Sequence, residues 1–326
     1  MNTLVYGAGV IGSYLCHVLC AAGNDVTLLA RGPWKERLKQ GLRIHHHLQG
    51  KDTVDHPTII EGISEGVTYD MVFAVMPYNK IGTILDELAA IQTPLVVMVG
   101  NNMSPARMRD EILEKTVCEK EVLFGFQATA GRRNVENGQL ICERAGAGVM
   151  DIGGLHQLPQ ERTRSKVEAA FEGTGYRLRW QPDMEAYLIC HLAAILPIGY
   201  LAYACDGDLR ASTREQRRLM WQASQEAFGL LRSQGIRILP EEDARYYEPG
   251  FHGALMRFVY LLMAKTVMGD LIACEHCRNA YEEMELLDRA FSNVIARTPD
   301  YPMPSWDELK AQMPDWAQVH EQYGKL

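Results

Sequence analysis

No uninterrupted apolar run in this 326-residue chain reaches the ~20 residues that a bilayer-spanning helix needs. The longest, Ala186 to Ala204, is interrupted by His191, Pro197 and Gly199 and reads as a buried helix. The chain enters a strand at once, without the basic and apolar regions of an export signal. It also lacks a cysteine framework: eight cysteines are scattered, several inside periodic apolar segments, so reduced thiols in a cytoplasmic protein are expected. Cys274-Glu275-His276-Cys277 offers at most three ligands, short of the four of a closed zinc site, so no metal is expected. His45-His46-His47 reads as an exposed strand or turn. An excess of positive charge is missing too. The net charge of -8 argues against a general affinity for nucleic acid or an anionic membrane. Internal repeats and low-complexity stretches are absent.

What is present begins at Thr3. The apolar run Thr3-Leu4-Val5-Tyr6 opens into Gly7-Ala8-Gly9-Val10-Ile11-Gly12, a Gly-x-Gly-x-x-Gly pattern. Such a loop leads from a buried strand into a helix whose first amides can hold a pyrophosphate. Gly7 permits the turn, Gly9 lets backbone approach the phosphates, and Gly12 lets helix pack on strand. The pattern alone is weak, but its context is right. A helix from Val10 to about Ala22 shows apolar residues Ile11, Leu15, Val18 and Leu19 at helical spacing and ends at Gly23-Asn24. Asp25 to Ala30 is then a second buried strand, completing strand, glycine turn, helix and strand within ~30 residues.

The end of that second strand also lacks something. An NAD site places an acid there for the ribose 2′-hydroxyl, whereas an NADP site offers arginine to the 2′-phosphate. Leu29-Ala30-Arg31 has no acid, and Arg31 favours NADP(H).

Further strands follow at Tyr69–Met76, Leu95–Val99, Val122–Ala128, Gln139–Cys142, Val149–Gly153 and Tyr176–Trp180, with extended strands or a hairpin within Leu42–Ile60. Helices are expected at Ile81–Ile91 and Arg162–Glu172. Arg132-Arg133-Asn134 and Asn137-Gly138 read as turns. Ligands gather at the carboxyl ends of parallel strands, which makes Met76, Pro77 and Asn101 candidate nicotinamide-facing residues. From Gln181-Pro182-Asp183 onward the pattern is helical, as in Arg218–Leu231, Leu255–Val267 and Ala280–Ile295. The expected architecture is an α/β Rossmann-type dinucleotide-binding domain, residues 1–180, followed by an all-α domain, residues 181–326.

Taken together, Val5 to Gly12, Leu29-Ala30-Arg31 and Val99-Gly100-Asn101-Asn102-Met103 resemble the ketopantoate reductase (2-dehydropantoate 2-reductase) family. Glu283-Met284-Glu285-Leu286-Leu287-Asp288 looks like its Glu-Ile-Asp helix segment, and Pro302-Met303-Pro304 follows at about the family's distance. The resemblance implies hydride transfer from NADPH to a 2-keto acid in a cleft between two domains. It places Asn101 near nicotinamide and substrate, and Glu283 where the substrate hydroxyl is bound. The family's acid is a lysine, but this chain has none between Lys166 and Lys265. The pairing puts His191 at that position, Pro77 at a second family lysine, Leu271 at a substrate-binding serine, and Ile195 and Gly199 at two asparagines. The expected catalytic set is His191, Glu283 and Asn101, and the expected partner is a small carbonyl substrate, not necessarily ketopantoate. A homodimer is compatible with this reading. The alternative is an NADP-binding regulatory or catalytically inactive relative.

Overall fold

The structure, a computed structural model, describes residues 1–134, 138–144, 146–248, 250–266 and 269–324. Asn137, Val267 and the side chain of Leu271 lie outside the described residues. The chain forms two compact units, Met1–Glu185 and Ala186–Leu326.

The first unit is built on an eight-stranded sheet. In chain order its strands are β1 (Asn2–Tyr6), β2 (Asp25–Leu29), β5 (Thr58–Ile60), β6 (Met71–Val75), β7 (Leu95–Val99), β8 (Glu121–Gln127), β11 (Val149–Gly153) and β12 (Arg177–Trp180). In space they run β12-β11-β8-β7-β6-β1-β2-β5. Every pairing is parallel except β8 with β11. β6 and β7 are buried along their whole length, as strands covered on both faces must be. β1 pairs with β2 on one side and β6 on the other. The chain therefore reverses its winding direction at β1, the switch point where open α/β sheets leave a crevice.

The helix Val10–Ala21 connects β1 to β2. Its stop is local: Gly23 takes φ 79°, and the amides of Gly23 and Asn24 return to the carbonyls of Cys20 and Leu19. The segment expected as one helix over Ile81–Ile91 is split into Tyr78–Ile81, a tight turn Gly82–Ile84, and Leu85–Ala90.

A second, four-stranded sheet was only partly legible. It runs β4-β3-β10-β9, with β3 (Leu42–His46), β4 (Lys51–Asp55), β9 (Thr129–Asn134) and β10 (Gln139–Arg144). β10 pairs parallel with β3 and antiparallel with β9. Arg132-Arg133-Asn134 is therefore strand and not turn, because β10 supplies the backbone partners that a turn would have lacked. The strand period of two also corrects the exposed reading of the histidine triplet. It turns Leu42, Ile44 and His46 to one inner face, all fully buried, and His46 meets the Thr53 hydroxyl at 2.8 Å.

The second unit is helical. Its central helix, Met184–Ala204, is long and apolar enough to cross a bilayer by length and composition, but 72% of its apolar window is buried within the protein, as in a core helix. Gly199 sits where the helix Tyr281–Ile295 approaches: a Cβ there would lie 2.5 Å from the Met284 methyl. Asp288, 3% exposed, ties these elements together. It accepts from Tyr200 Oη at 2.6 Å, Lys310 Nζ at 2.6 Å and Trp316 Nε1 at 2.9 Å. The Pro- and Trp-rich tail packs here, with Trp306 buried between Tyr200 and Phe291.

Candidate functional site

The glycine loop ends β1 at the switch point, and sterics assign its glycines different duties. Gly7 has φ 117°, and a Cβ on it would fall 2.2 Å from the Val75 carbonyl oxygen at the end of β6. A Cβ on Gly12 would fall 1.9 Å from the Gly7 carbonyl oxygen. Both positions are closed by backbone. Gly9 is the opposite case, with nothing within 4 Å of its would-be Cβ. It caps the helix in an extended conformation with no side-chain cap, and no acid stands in the first turn. The first amides of a helix have no intrahelical acceptor. Val10, Ile11 and Gly12 thus carry that partial positive charge beside open space over Gly9, which fits a pyrophosphate.

Long-range hydrogen bonds hold this loop. Arg133 of β9 donates from Nη2 to the Ala8 carbonyl oxygen at 2.8 Å, with its guanidinium over the Trp34 ring at 5.1 Å. Gln127 of β8 donates to the Ile11 carbonyl oxygen at 3.1 Å and accepts from Tyr176 Oη at 2.8 Å. Burial lowers the Arg133 pKa, yet a guanidinium remains a cation in proteins.

Neighbouring strand ends converge on the same edge. Met76 follows β6, and Gly100 follows β7 with φ 137°, where a Cβ would sit 2.9 Å from the Met76 carbonyl oxygen. Pro77 is exposed and precedes the helix Tyr78–Ile81. Asn101 and Asn102 are both buried. Asn102 has a structural duty: its Oδ1 accepts from the Ser104 amide at 2.8 Å, shaping the entry to the helix Pro105–Lys115. Arg31 stands two residues beyond β2. Its Nη2 lies 3.0 Å from each carboxylate oxygen of Glu87, a partner on the helix Leu85–Ala90.

In the second unit the structure links His191 and Glu283 through His276. His276 Nε2 lies 3.7 Å from Glu283 Oε2, with side-chain exposures of 42% and 5%. Burial, aided by repulsion from His276, lowers the His191 pKa to about 3, and its ring stacks parallel to Tyr187 at 6.5 Å. His276 follows a π-helical turn, Asp270–Cys274, a form of backbone common at functional sites. In the Cys-x-x-Cys segment, Cys274 Sγ accepts from the Leu209 amide at 3.4 Å and Cys277 is buried. Among the described residues no three metal-ligand side chains gather.

The fold and glycine loop are those of Rossmann-type dinucleotide-binding domains. Residues 3–156 match the family described as ketopantoate reductase PanE/ApbA, so the first unit is similar to that family's domain, and the match supports a PanE/ApbA-like oxidoreductase. Solved structures share the fold. The 2-dehydropantoate 2-reductase of Methylococcus capsulatus is 18% identical, with 95% of each chain covered and a TM-score of 0.61. That of Porphyromonas gingivalis W83 is 16% identical over 96% of this chain and 98% of its own, with a TM-score of 0.66. A D-mandelate dehydrogenase in complex with NADH is 14% identical over 99% of this chain and 100% of its own, with a TM-score of 0.70. A search of curated proteins returns no match to the sequence.

Sequence reasoning missed Arg133, Glu87 and His276 as contributors. Arg133 lay in a presumed turn, Glu87 on a helix far from the ribose motif, and His276 inside a dismissed metal pattern. Long-range pairings bring Glu87 to Arg31 and Arg133 to Ala8, while His276 reaches Glu283 seven residues on through the turn between their helices.

Proposed function

We propose that this chain is a nicotinamide-dinucleotide-dependent oxidoreductase, able to use NADP(H), acting on a 2-keto acid or the corresponding 2-hydroxy acid. The observation that carries the reading is the open face over Gly9 between two glycines that backbone closes to any side chain. Gly7 to Gly12 would hold the pyrophosphate, with Arg31 at the adenosine ribose and Met76, Pro77 and Asn101 toward the nicotinamide. The dinucleotide supplies or receives the hydride. A D-mandelate dehydrogenase of similar fold has been solved with NADH and anilino(oxo)acetate, a 2-oxo acid derivative, which favours that substrate class.

The residues of the second unit provide the proton. A histidine kept neutral by burial is a poor acid at neutral pH, so His191 serves as a hydrogen-bonding group and His276 Nε2 as the donor. The half-exposed His276 imidazole lies 3.7 Å from the buried Glu283 carboxylate, which orients it, and the proton it gives up is replaced from solvent. This arrangement replaces the family lysine that the chain lacks.

The test is a panel of 2-keto acids with NADPH, followed by loss of nucleotide absorbance. H276Q and E283Q are expected to lower turnover at least ~100-fold, the usual scale of general acid catalysis, while NADPH affinity stays unchanged. Full turnover in H276Q removes it from the mechanism. The missing lysine favours one rival, an NADP-binding regulatory protein. In that case NADPH raises thermal stability and no carbonyl is reduced.

A further inference from the structure

The ribose end of the site holds an acid that the sequence around Arg31 does not disclose. Arg31 Nη2 lies 3.0 Å from both carboxylate oxygens of Glu87, and its Nε donates to the Glu61 carbonyl oxygen at 3.1 Å. The Tyr6 ring lies 5.4 Å from the guanidinium carbon. Tyr6 also donates its phenol to Glu87 at 2.6 Å. Tyr6 ends β1 and is 1% exposed, so Glu87 is fastened by a buried group and is more than a swinging surface partner. The second cation nearby is matched in the same way: Lys35 Nζ pairs with the Glu61 carboxylate at 2.8 Å. Arg31 and Lys35 therefore each face a carboxylate.

The two dinucleotides ask opposite things of this place. A ribose 2′-hydroxyl needs an acceptor, whereas a 2′-phosphate needs cations and is repelled by an acid. Dinucleotide sites usually carry the acceptor at the end of β2. Here Ala30-Arg31 stand there, and the carboxylate arrives from Leu85–Ala90, in the crossover between β6 and β7.

We propose that Glu87 is the cofactor-selecting residue of this chain: held by Tyr6 and paired with Arg31, it accepts the ribose 2′-hydroxyl and opposes the 2′-phosphate, so that NADH binds about as well as NADPH. The proposal rests on the dinucleotide reading above and deepens it. Binding of NADPH then requires Arg31 to leave Glu87, and the intrinsic preference of an arginine for phosphate is spent on that exchange.

The experiment is calorimetric titration of the full chain with NADPH and with NADH, for the unaltered protein, E87Q and Y6F. The unaltered protein is expected to bind both with dissociation constants within about tenfold, a difference of one decade in affinity. E87Q frees Arg31 and removes the acid, so NADPH should tighten and NADH weaken, moving their ratio by at least ~10-fold. Y6F loosens Glu87 and moves the ratio the same way by less. Thermal melting establishes that each variant is folded, and Y6F decides the matter if E87Q is not. A ratio unchanged in the folded variants, with binding intact, overturns this proposal alone. Failure of both dinucleotides to bind the unaltered chain overturns the dinucleotide reading and this proposal with it.

Discussion

Arg133 donates to the carbonyl oxygen of Ala8 across 2.8 Å, joining the second sheet of the first unit to its glycine loop. This bond places a permanent cation behind the amides proposed to hold a pyrophosphate. R133M removes the charge and leaves the Ala8 carbonyl without this donor. Affinity for NADPH and NADH should fall together, by roughly tenfold each for one charge-assisted contact, because the pyrophosphate is common to both. Calorimetric titration checks this. A loss confined to NADPH would place Arg133 at the ribose instead.

Gly9 and Gly12 should separate binding from folding. G12A puts a methyl 1.9 Å from the Gly7 carbonyl oxygen, where backbone must move. A stability loss of about 1–3 kcal/mol is expected, the usual range for overpacking. G9A meets no protein atom within 4 Å. Its melting temperature without nucleotide should match the unaltered protein, while its dinucleotide affinity falls at least ~10-fold as the methyl occupies the phosphate approach. Melting curves with and without NADPH read both effects. Unaltered binding in G9A would remove the loop from the phosphate site.

His191 should make stability depend on acidity. Its pKa is lowered from 6.5 to about 3 in the folded chain, first by burial and then by His276. Below pH 6.5 the unfolded chain therefore takes up a proton that the folded chain refuses. The stability from keeping this imidazole neutral is complete above pH 6.5. It is lost as pH falls toward 3, by up to ~1.4 kcal/mol per pH unit. Denaturant midpoints between pH 7 and pH 4.5 should fall less steeply in H191Q than in the unaltered protein. Parallel slopes would show that this imidazole is not held neutral.

Sequence and structure divide the site between them along a physical line. The glycine loop was legible because its requirements are local: a positive φ at Gly7, a close approach at Gly12 and an open face at Gly9 are written in contiguous residues. The apolar strands β1, β2, β6 and β7 were legible for the same reason, since each carries its own burial pattern. β9 was not, because Thr129–Asn134 becomes a strand only once β10 lies beside it. Nor was the role of Gly199, which the resemblance pairs with a family asparagine and which in space admits the Met284 methyl.

The sequence by itself determined that a strand ends in a phosphate-sized turn at a helix N-terminus and that an arginine follows the next strand. Backbone geometry depends on the residues in place and their immediate neighbours, so those features needed nothing else. Tertiary structure alone decided what the charged side chains face: Glu87 on Arg31, Arg133 on Ala8, and His276 on Glu283. Electrostatic partners are chosen by distance in space, and residues 56 and 125 positions apart acquire that distance only when the sheets and crossovers have formed.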